Sequence, residues 1–213
     1  MLKKLLVLLL LVWVSGASYV YFQSQQKPTD VYVATETLWT GEVISTSTGA
    51  VITGDLYTVS SWAVLWWKGS KPGGFHTGTV VISEGTLVAQ SGDVKWGSFT
   101  MDMKSIKLLD INNPEFEGEI RDNFFEASAH PTVKFVITKT ENQSSGFVVY
   151  WDLTIKGITK AISFPAKVAM NQNELWFAAS FAIDRSLRSL TMREGTVNKY
   201  LEFNFDLGLT KSI

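Results

Sequence analysis

From residue 56 onward, apolar and polar residues alternate with a period of two. The last segment is the clearest. Leu201, Phe203, Phe205, Leu207 and Leu209 share one parity, and Glu202, Asn204, Asp206 and Gly208 share the other. Successive side chains of a strand point to opposite faces, so each such segment forms a strand with one apolar face. The pattern recurs at Phe147, Val149, Trp151, Leu153 and Ile155, at Ile162, Phe164, Ala166 and Val168, and at Leu175, Phe177, Ala179, Phe181 and Ile183. Val133, Phe135 and Ile137 make a shorter version, and Phe99, Met101 and Met103 oppose Thr100 and Asp102. With turns marked by residues 144–146 and 171–173, the spacing predicts a mainly β chain of about eight antiparallel strands. Such strands remove their open edges by closing into a barrel. About eight strands enclose a lumen that side chains can fill or that holds one small ligand.

The 213 residues suffice for one such domain with a sizeable core. Residues 1–22 read differently. Lys3 and Lys4 precede an unbroken apolar run over 5–14, and small residues follow at Ser15, Gly16 and Ala17. This is the pattern of a secretory signal. Apolar residues resume at 19–22, which lengthens the run to the lower limit of a spanning helix, so a membrane anchor is the equal alternative. Either way the lysines hold the N-terminus inside and send the rest of the chain out of the cytoplasm. Residues 23–55 are rich in Thr, Ser, Val and Gly and carry little charge. They read as a linker or stalk, or, from the parity of Val31, Val33 and Thr35, as one added edge strand. The barrel is assigned to 56–213.

One helix is predicted. Phe116, Ile120 and Phe124 recur at helical spacing, Asn113 suits an N-cap, and Pro114 suits the first turn. Pro131 bars any long continuation. This helix plugs one end of the barrel, with Phe124 and Phe125 beside the route to the lumen.

The composition excludes several kinds of chemistry. With no cysteine there are no disulfides, thiolate zinc sites or cysteine nucleophile. The two histidines, His76 and His130, have no neighbouring ligand cluster, and no hydrolase or phosphate-loop motif occurs. No catalytic residue, metal or cofactor is therefore assigned. A net charge of -1 gives no general attraction to nucleic acid. The chain does hold 8 Trp and 13 Phe, which either pack a core or line a lumen for an apolar ligand. His76 is a half-buried histidine satisfied within the fold, or a donor facing a ligand head at the mouth. Arg185 follows the inward Ile183 by two, so plain alternation turns it toward the lumen. There it needs a carboxylate or a ligand anion, unless it leaves the strand into a solvated loop.

Five ordered motifs carry a family resemblance. They are the aromatic strand end and hairpin over 66–78, with Trp66, Lys68, His76 and Gly78; the strand over 97–106; Asn123, Phe124, Phe125 and Glu126 followed by His130 and Pro131; the hairpin over 153–160; and the pair Asp184 and Arg185. Together they resemble the YceI-like family across roughly 56–213. The resemblance implies a lipocalin-like barrel that is exported, periplasmic or tethered to the inner membrane facing the periplasm, and that holds a polyisoprenoid or other amphiphilic lipid. On that reading Trp66, Phe99, Met101, Phe124, Phe125, Trp151, Phe181 and Phe203 contact the tail, and His76 and Arg185 the head. The contrasting reading is a non-catalytic structural or interaction module of the cell envelope with a self-filled core.

Overall fold

The apolar parity of each alternating segment becomes the inner wall of a closed barrel in the computed structural model, which describes residues 31–37, 53–143, 146–190 and 195–212. Among these, the strands are β1 (Tyr32–Val33), β2 (Thr35–Thr37), β3 (Asp55–Val59), β4 (Val64–Lys71), β5 (Gly74–Gln90), β6 (Asp93–Leu108), β7 (Thr132–Gln143), β8 (Gly146–Ile155), β9 (Ile158–Met170), β10 (Glu174–Asp184) and β11 (Tyr200–Lys211). Between β6 and β7 lie helix α1 (Pro114–Glu119) and a π-helical turn (Ile120–Phe124). β5 to β11 pair in sequence order, each antiparallel to the next. β3 and β4 share the eighth position. β3 joins the far half of β5 to the end of β11, and β4 joins the near half of β5 to the start of β11. The result is the closed eight-position antiparallel barrel with one short helix that the alternation predicts. Three register shifts between β5 and β6 give these longest strands the local bends that wrapping requires.

The inner face is as expected. Phe99, Met101, Phe135, Val149, Trp151, Leu153, Phe164, Leu175, Phe177, Phe181 and Phe205 are completely buried. Much of the lumen is occupied by their rings. Trp151 sits 5.5 Å from Phe99 and 6.1 Å from both Phe164 and Phe205, and Phe135 stands edge-on to Trp151 at 5.6 Å. Each such pair adds about 0.5–1.5 kcal/mol beyond area burial.

Helix α1 begins as predicted. The Asn113 side chain accepts from the Phe116 N–H, with Pro114 in the first turn. It ends well before Pro131. The π-helical turn closes on the Phe125 N–H donating to the Ile120 carbonyl, and Glu126 adopts a left-handed φ of 52° that stops the helix. Helix α1, the β4–β5 turn, the β8–β9 turn and the β10–β11 connection lie at the same end of the barrel, the mouth.

Residues 31–37, read from the sequence as stalk or as one edge strand, supply two short strands to the wall. β9 and β10 pair only over 167–170 and 175–178, then diverge toward the mouth. β1 pairs parallel to β10 and β2 antiparallel to β9, so this strap spans the diverging strands. Its main polar anchor is Glu36, both of whose oxygens accept from Arg188 Nη1 at 2.8 Å. Arg188 is 0% exposed. Residues 1–30, expected to hold the signal or anchor, lie outside the described residues. Among the described residues no helix is long and apolar enough to cross a membrane.

Candidate functional site

At the mouth a cavity of about 80 Å³ opens under α1. β4 contributes Trp67, Gly69 and Ser70 to its wall, β5 contributes His76, and β11 contributes Tyr200 and Leu201. The helical segment contributes Phe116, Ile120, Phe124 and Phe125, and Arg185, Val197 and Asn198 complete the rim. The walls are apolar and the polar atoms gather at the rim. Beyond Trp67 and Phe125, which border both spaces, lies a smaller void of about 20 Å³ lined by Leu65, Met101, Met103, Ile155 and Phe203.

The position of Trp67 is set by Gly78. A Cβ at residue 78 would stand 2.0 Å from the Lys107 carbonyl oxygen and 2.5 Å from the Trp67 ring. The glycine two residues after His76 therefore lets β5 approach β6 while the indole lies against it. Among the described residues the buried Trp67 Nε1–H has no acceptor, as is also true of Trp151 Nε1 in the core, and such buried polar atoms are uncommon.

The lid over the cavity is held by Glu117. Its carboxylate accepts from the Leu108 N–H at 3.0 Å and from Lys107 Nζ at 3.1 Å, tying α1 to the end of β6. The Leu108 amide is the main reason that the Glu117 carboxyl lies below its ordinary value. The π-helical turn then sets Phe124 edge-on to Phe125 at 4.8 Å. Single π-turns of this kind are frequent at functional sites.

His76 is satisfied within the fold. Its Nδ1 lies 2.8 Å from Asp110 Oδ2, and its ring meets Phe116 edge-on at 4.8 Å. Asp110 also accepts from the Thr77 N–H at 2.8 Å. Burial pushes the Asp110 carboxyl up, but the Thr77 amide and His76 together outweigh it and leave the group below its ordinary value.

Arg185 is buried and faces the mouth, as alternation anticipates. A 3₁₀ turn (Arg185–Arg188) begins at this residue, and its guanidinium donates to three backbone carbonyls. Nε reaches Asn198 at 2.9 Å, Nη1 reaches Leu190, and Nη2 reaches Val197 at 3.3 Å. It also lies over the Phe124 ring at 5.7 Å. Arg185 thus ties the β10–β11 connection into a wall for the cavity.

The other residues singled out from the sequence separate into groups. Phe124 and Phe125 border the mouth cavity together with His76 and Arg185. Met101 and Phe203 line the inner void, and Phe125 borders both spaces. Phe99, Trp151 and Phe181 belong to the packed aromatic core. Trp66 is on the outer wall, 48% exposed, and Trp67 takes the inward place. The parity of Lys68 could have shown this, since Lys68 and Trp66 share a face and Lys68 pairs across the outer surface with Glu202. Among the described residues no three His, Asp or Glu side chains converge as a metal site requires.

A closed eight-position barrel with an apolar cavity at one end defines a class of small antiparallel barrels whose interior can be filled by side chains or hold a ligand. Within that class the chain belongs to the YceI-like family, since residues 58–209 match the YceI-like domain. It is similar to the UPF0312 protein plu2095 of Photorhabdus laumondii, 28% identical over 92 residues that make 38% of this chain and 48% of the relative. It is also similar to the UPF0312 protein YE1254 of Yersinia enterocolitica, 24% identical over 106 residues, 43% of this chain and 55% of the relative. The chain spans about half the length of these relatives. Among solved structures, Burkholderia cenocepacia BcnA superposes with a TM-score of 0.59 at 18% identity, covering 68% of this chain and 95% of that one. A polyisoprenoid binding domain from Saccharophagus degradans, implicated in plant cell wall breakdown, superposes with a TM-score of 0.56 at 12% identity, covering 75% and 100%. At these identities the likeness is one of fold.

Proposed function

We propose that this protein binds a long apolar lipid with a small polar head, a polyisoprenoid or similar amphiphile, and carries or sequesters it outside the cytoplasm without catalysing a reaction. The observation that carries the reading is the mouth cavity, with apolar walls, a polar rim and a buried Trp67 N–H that lacks an acceptor among the described residues. A hydroxyl or phosphate oxygen at the head of the ligand would supply that acceptor. The shared fold with a polyisoprenoid binding domain supports the same ligand class. The lysine-led apolar run near the N-terminus supports export, whether released or tethered.

Volume sets the mechanism. A cavity of about 80 Å³ is smaller than the roughly 150 Å³ that admits a benzene ring. A tail therefore enters only as rings move. Turning Phe125 and Trp67 aside would join the cavity to the inner void. Burying a five-carbon isoprene unit gains on the order of 4 kcal/mol at about 0.8 kcal/mol per carbon, so three units bring roughly 12. Uncovering two aromatic rings costs about 3–6 kcal/mol, and losing translational and rotational freedom at least about 4. Against the lower of these costs, two units roughly break even and three bind.

The packed cluster around Trp151 favours a second reading, an envelope module whose lumen is filled by its own side chains. Native mass spectrometry of protein isolated from cell envelopes separates the two. Lipid binding is expected to give a retained ligand whose mass series is spaced by isoprene units. Ligand-free protein that also fails to take up a polyprenol or polyprenyl phosphate in vitro would overturn the lipid reading. Sequencing the N-terminus of the mature protein tests the address, and recovery only from the cytosol would sink it.

A further inference from the structure

Two observations are unaccounted for by a tail that threads the mouth alone. The lumen below the mouth is filled with rings, and the barrel wall is incomplete between β9 and β10. These strands separate above the pairs Lys167 with Ala178 and Val168 with Phe177, and neither rejoins the other toward the mouth. At the fork, residues 164–166 of β9 and Ala179 and Ser180 of β10 have no strand partner on that side among the described residues. Pro165 sits in the gap, and proline has no N–H to offer a ladder. A groove of about 400 Å³ opens here on the outer surface, and its walls include Ala166, Ala179 and Phe205, whose side chains face the barrel interior.

Above the fork the wall is completed by residues 31–37, which precede the 58–209 stretch shared with the family. Their attachment is modest in apolar terms. Tyr32 is half exposed, and Ala34 is the buried hydrophobic residue of the strap. Its hold is polar. The Ala34 N–H donates to the Ala182 carbonyl at 2.8 Å, short ladders run to β10 and β9, and Glu36 grips Arg188 and the Asp184 N–H. Directly inside the strap, Phe164 of β9 and Phe181 of β10 stack almost parallel, with centroids 3.8 Å apart. In register, Phe181 faces Tyr32, and Ser163, next to Phe164, faces Thr35. In the sequence, residues 38–54 lie between the strap and β3.

We infer that the β9–β10 seam is the lateral slot through which an apolar lipid tail reaches the lumen, and that residues 31–37 are its removable wall. The inference rests on the lipid-binding reading for the identity of the ligand and on the seam geometry for the gate. When the strap lifts, the Phe164–Phe181 stack is what still bridges the gap, and parting those rings opens a path from the fork groove to the mouth cavity. A tail can then lie sideways into the barrel instead of threading end-on. The buried Arg188 left by Glu36 becomes exposed at the head end of the slot, within reach of a phosphate or hydroxyl.

A disulfide tests the gate. The chain has no cysteine, so the double variant Thr35→Cys/Ser163→Cys, at directly opposed positions of β2 and β9, creates a single thiol pair. Uptake of a fluorescent polyprenyl phosphate from phosphatidylcholine vesicles is compared in the oxidised and reduced protein. A gating strap slows uptake by at least about tenfold when locked and restores it on reduction. Equal rates in the two states overturn the gate while leaving lipid binding intact. A second measurement needs no lipid. In the wild-type protein, hydrogen exchange at Ala34 and Ala182 should proceed through a local opening, well ahead of the β5–β6 ladder. Exchange of these amides only with global unfolding overturns the gate even if no probe binds in either state. Fast local exchange in a protein that takes up no lipid upholds the gate and sinks the ligand assignment.

Discussion

Replacing Glu36 by alanine should be among the most destabilising single changes outside the barrel lumen. Arg188 is wholly buried, and Nη1 spends its hydrogen bonds on the two Glu36 oxygens at 2.8 Å, with a long contact of 3.5 Å to the Asp184 carbonyl. Among the described residues its Nε and Nη2 have no acceptor. The Glu36 carboxylate is therefore the principal compensation for a buried positive charge. Deleting one partner of such a pair costs about 3–5 kcal/mol, because the other charge is left stranded. The strap sets a ceiling on that figure. If it can leave the seam, water reaches Arg188, and the loss stops at the free energy of detachment. Urea unfolding followed by tryptophan fluorescence gives the loss, and hydrogen exchange at Ala34 shows whether the strap has left. Removing both charges in Glu36→Ala/Arg188→Met should recover most of the stability, since a buried pair exchanged for apolar groups is often neutral or better. A loss below about 1 kcal/mol with the strap still protected, or a double variant no better than the single one, would refute this account.

Gly78→Ala should lower stability by about 3 kcal/mol, the upper end of overpacking costs, since the new methyl meets a backbone oxygen that no rotamer change can move; thermal unfolding checks it. Arg185→Ala should cost about 2–4 kcal/mol, because buried loop carbonyls lose a charged donor. It should weaken a polyprenyl phosphate and a polyprenol equally, and binding titrations in which only the phosphate suffers would show a direct contact to the head. Asp152→Asn should raise stability at neutral pH. Burial pushes this carboxyl up, so the folded state favours its proton and the ionised form opposes folding. That penalty is present above the raised pKa and vanishes as pH falls through it, so the gain in the urea midpoint should disappear in acid.

The alternation made the barrel legible because each strand buries one face, and parity alone then assigns Phe99, Phe135, Trp151, Phe177 and Phe205 to the interior. The helix start was legible because Asn113 and Pro114 act locally. Parity failed at Trp66 and Trp67, two large apolar neighbours of which only one can point inward; the choice rests on Lys68 outside and Gly78 across the pair. The strap was hidden for a different reason. Its segment carries few large apolar side chains, and its partners in β9 and β10 lie more than a hundred residues away, so its pairing leaves no local trace. Arg185 could be placed facing the mouth, but its partners could not, because backbone carbonyls carry no sequence signature. The division of the lumen into a cavity, a void and a packed remainder depends on ring orientations that composition does not fix.

The aromatic packing below the mouth gives the barrel a floor. Trp151, stacked with Phe99 and Phe205, stands across the lumen where a straight tunnel would continue. In a chain that carries a tail, such a floor acts as a ruler: the number of carbons accommodated is set by how far above it the rings can fold away. Exchanging one of these rings for an aliphatic residue would shift the graduation and leave the strand register untouched. Capacity and fold are therefore separately adjustable in this architecture, and barrels of one topology can measure out cargoes of different length.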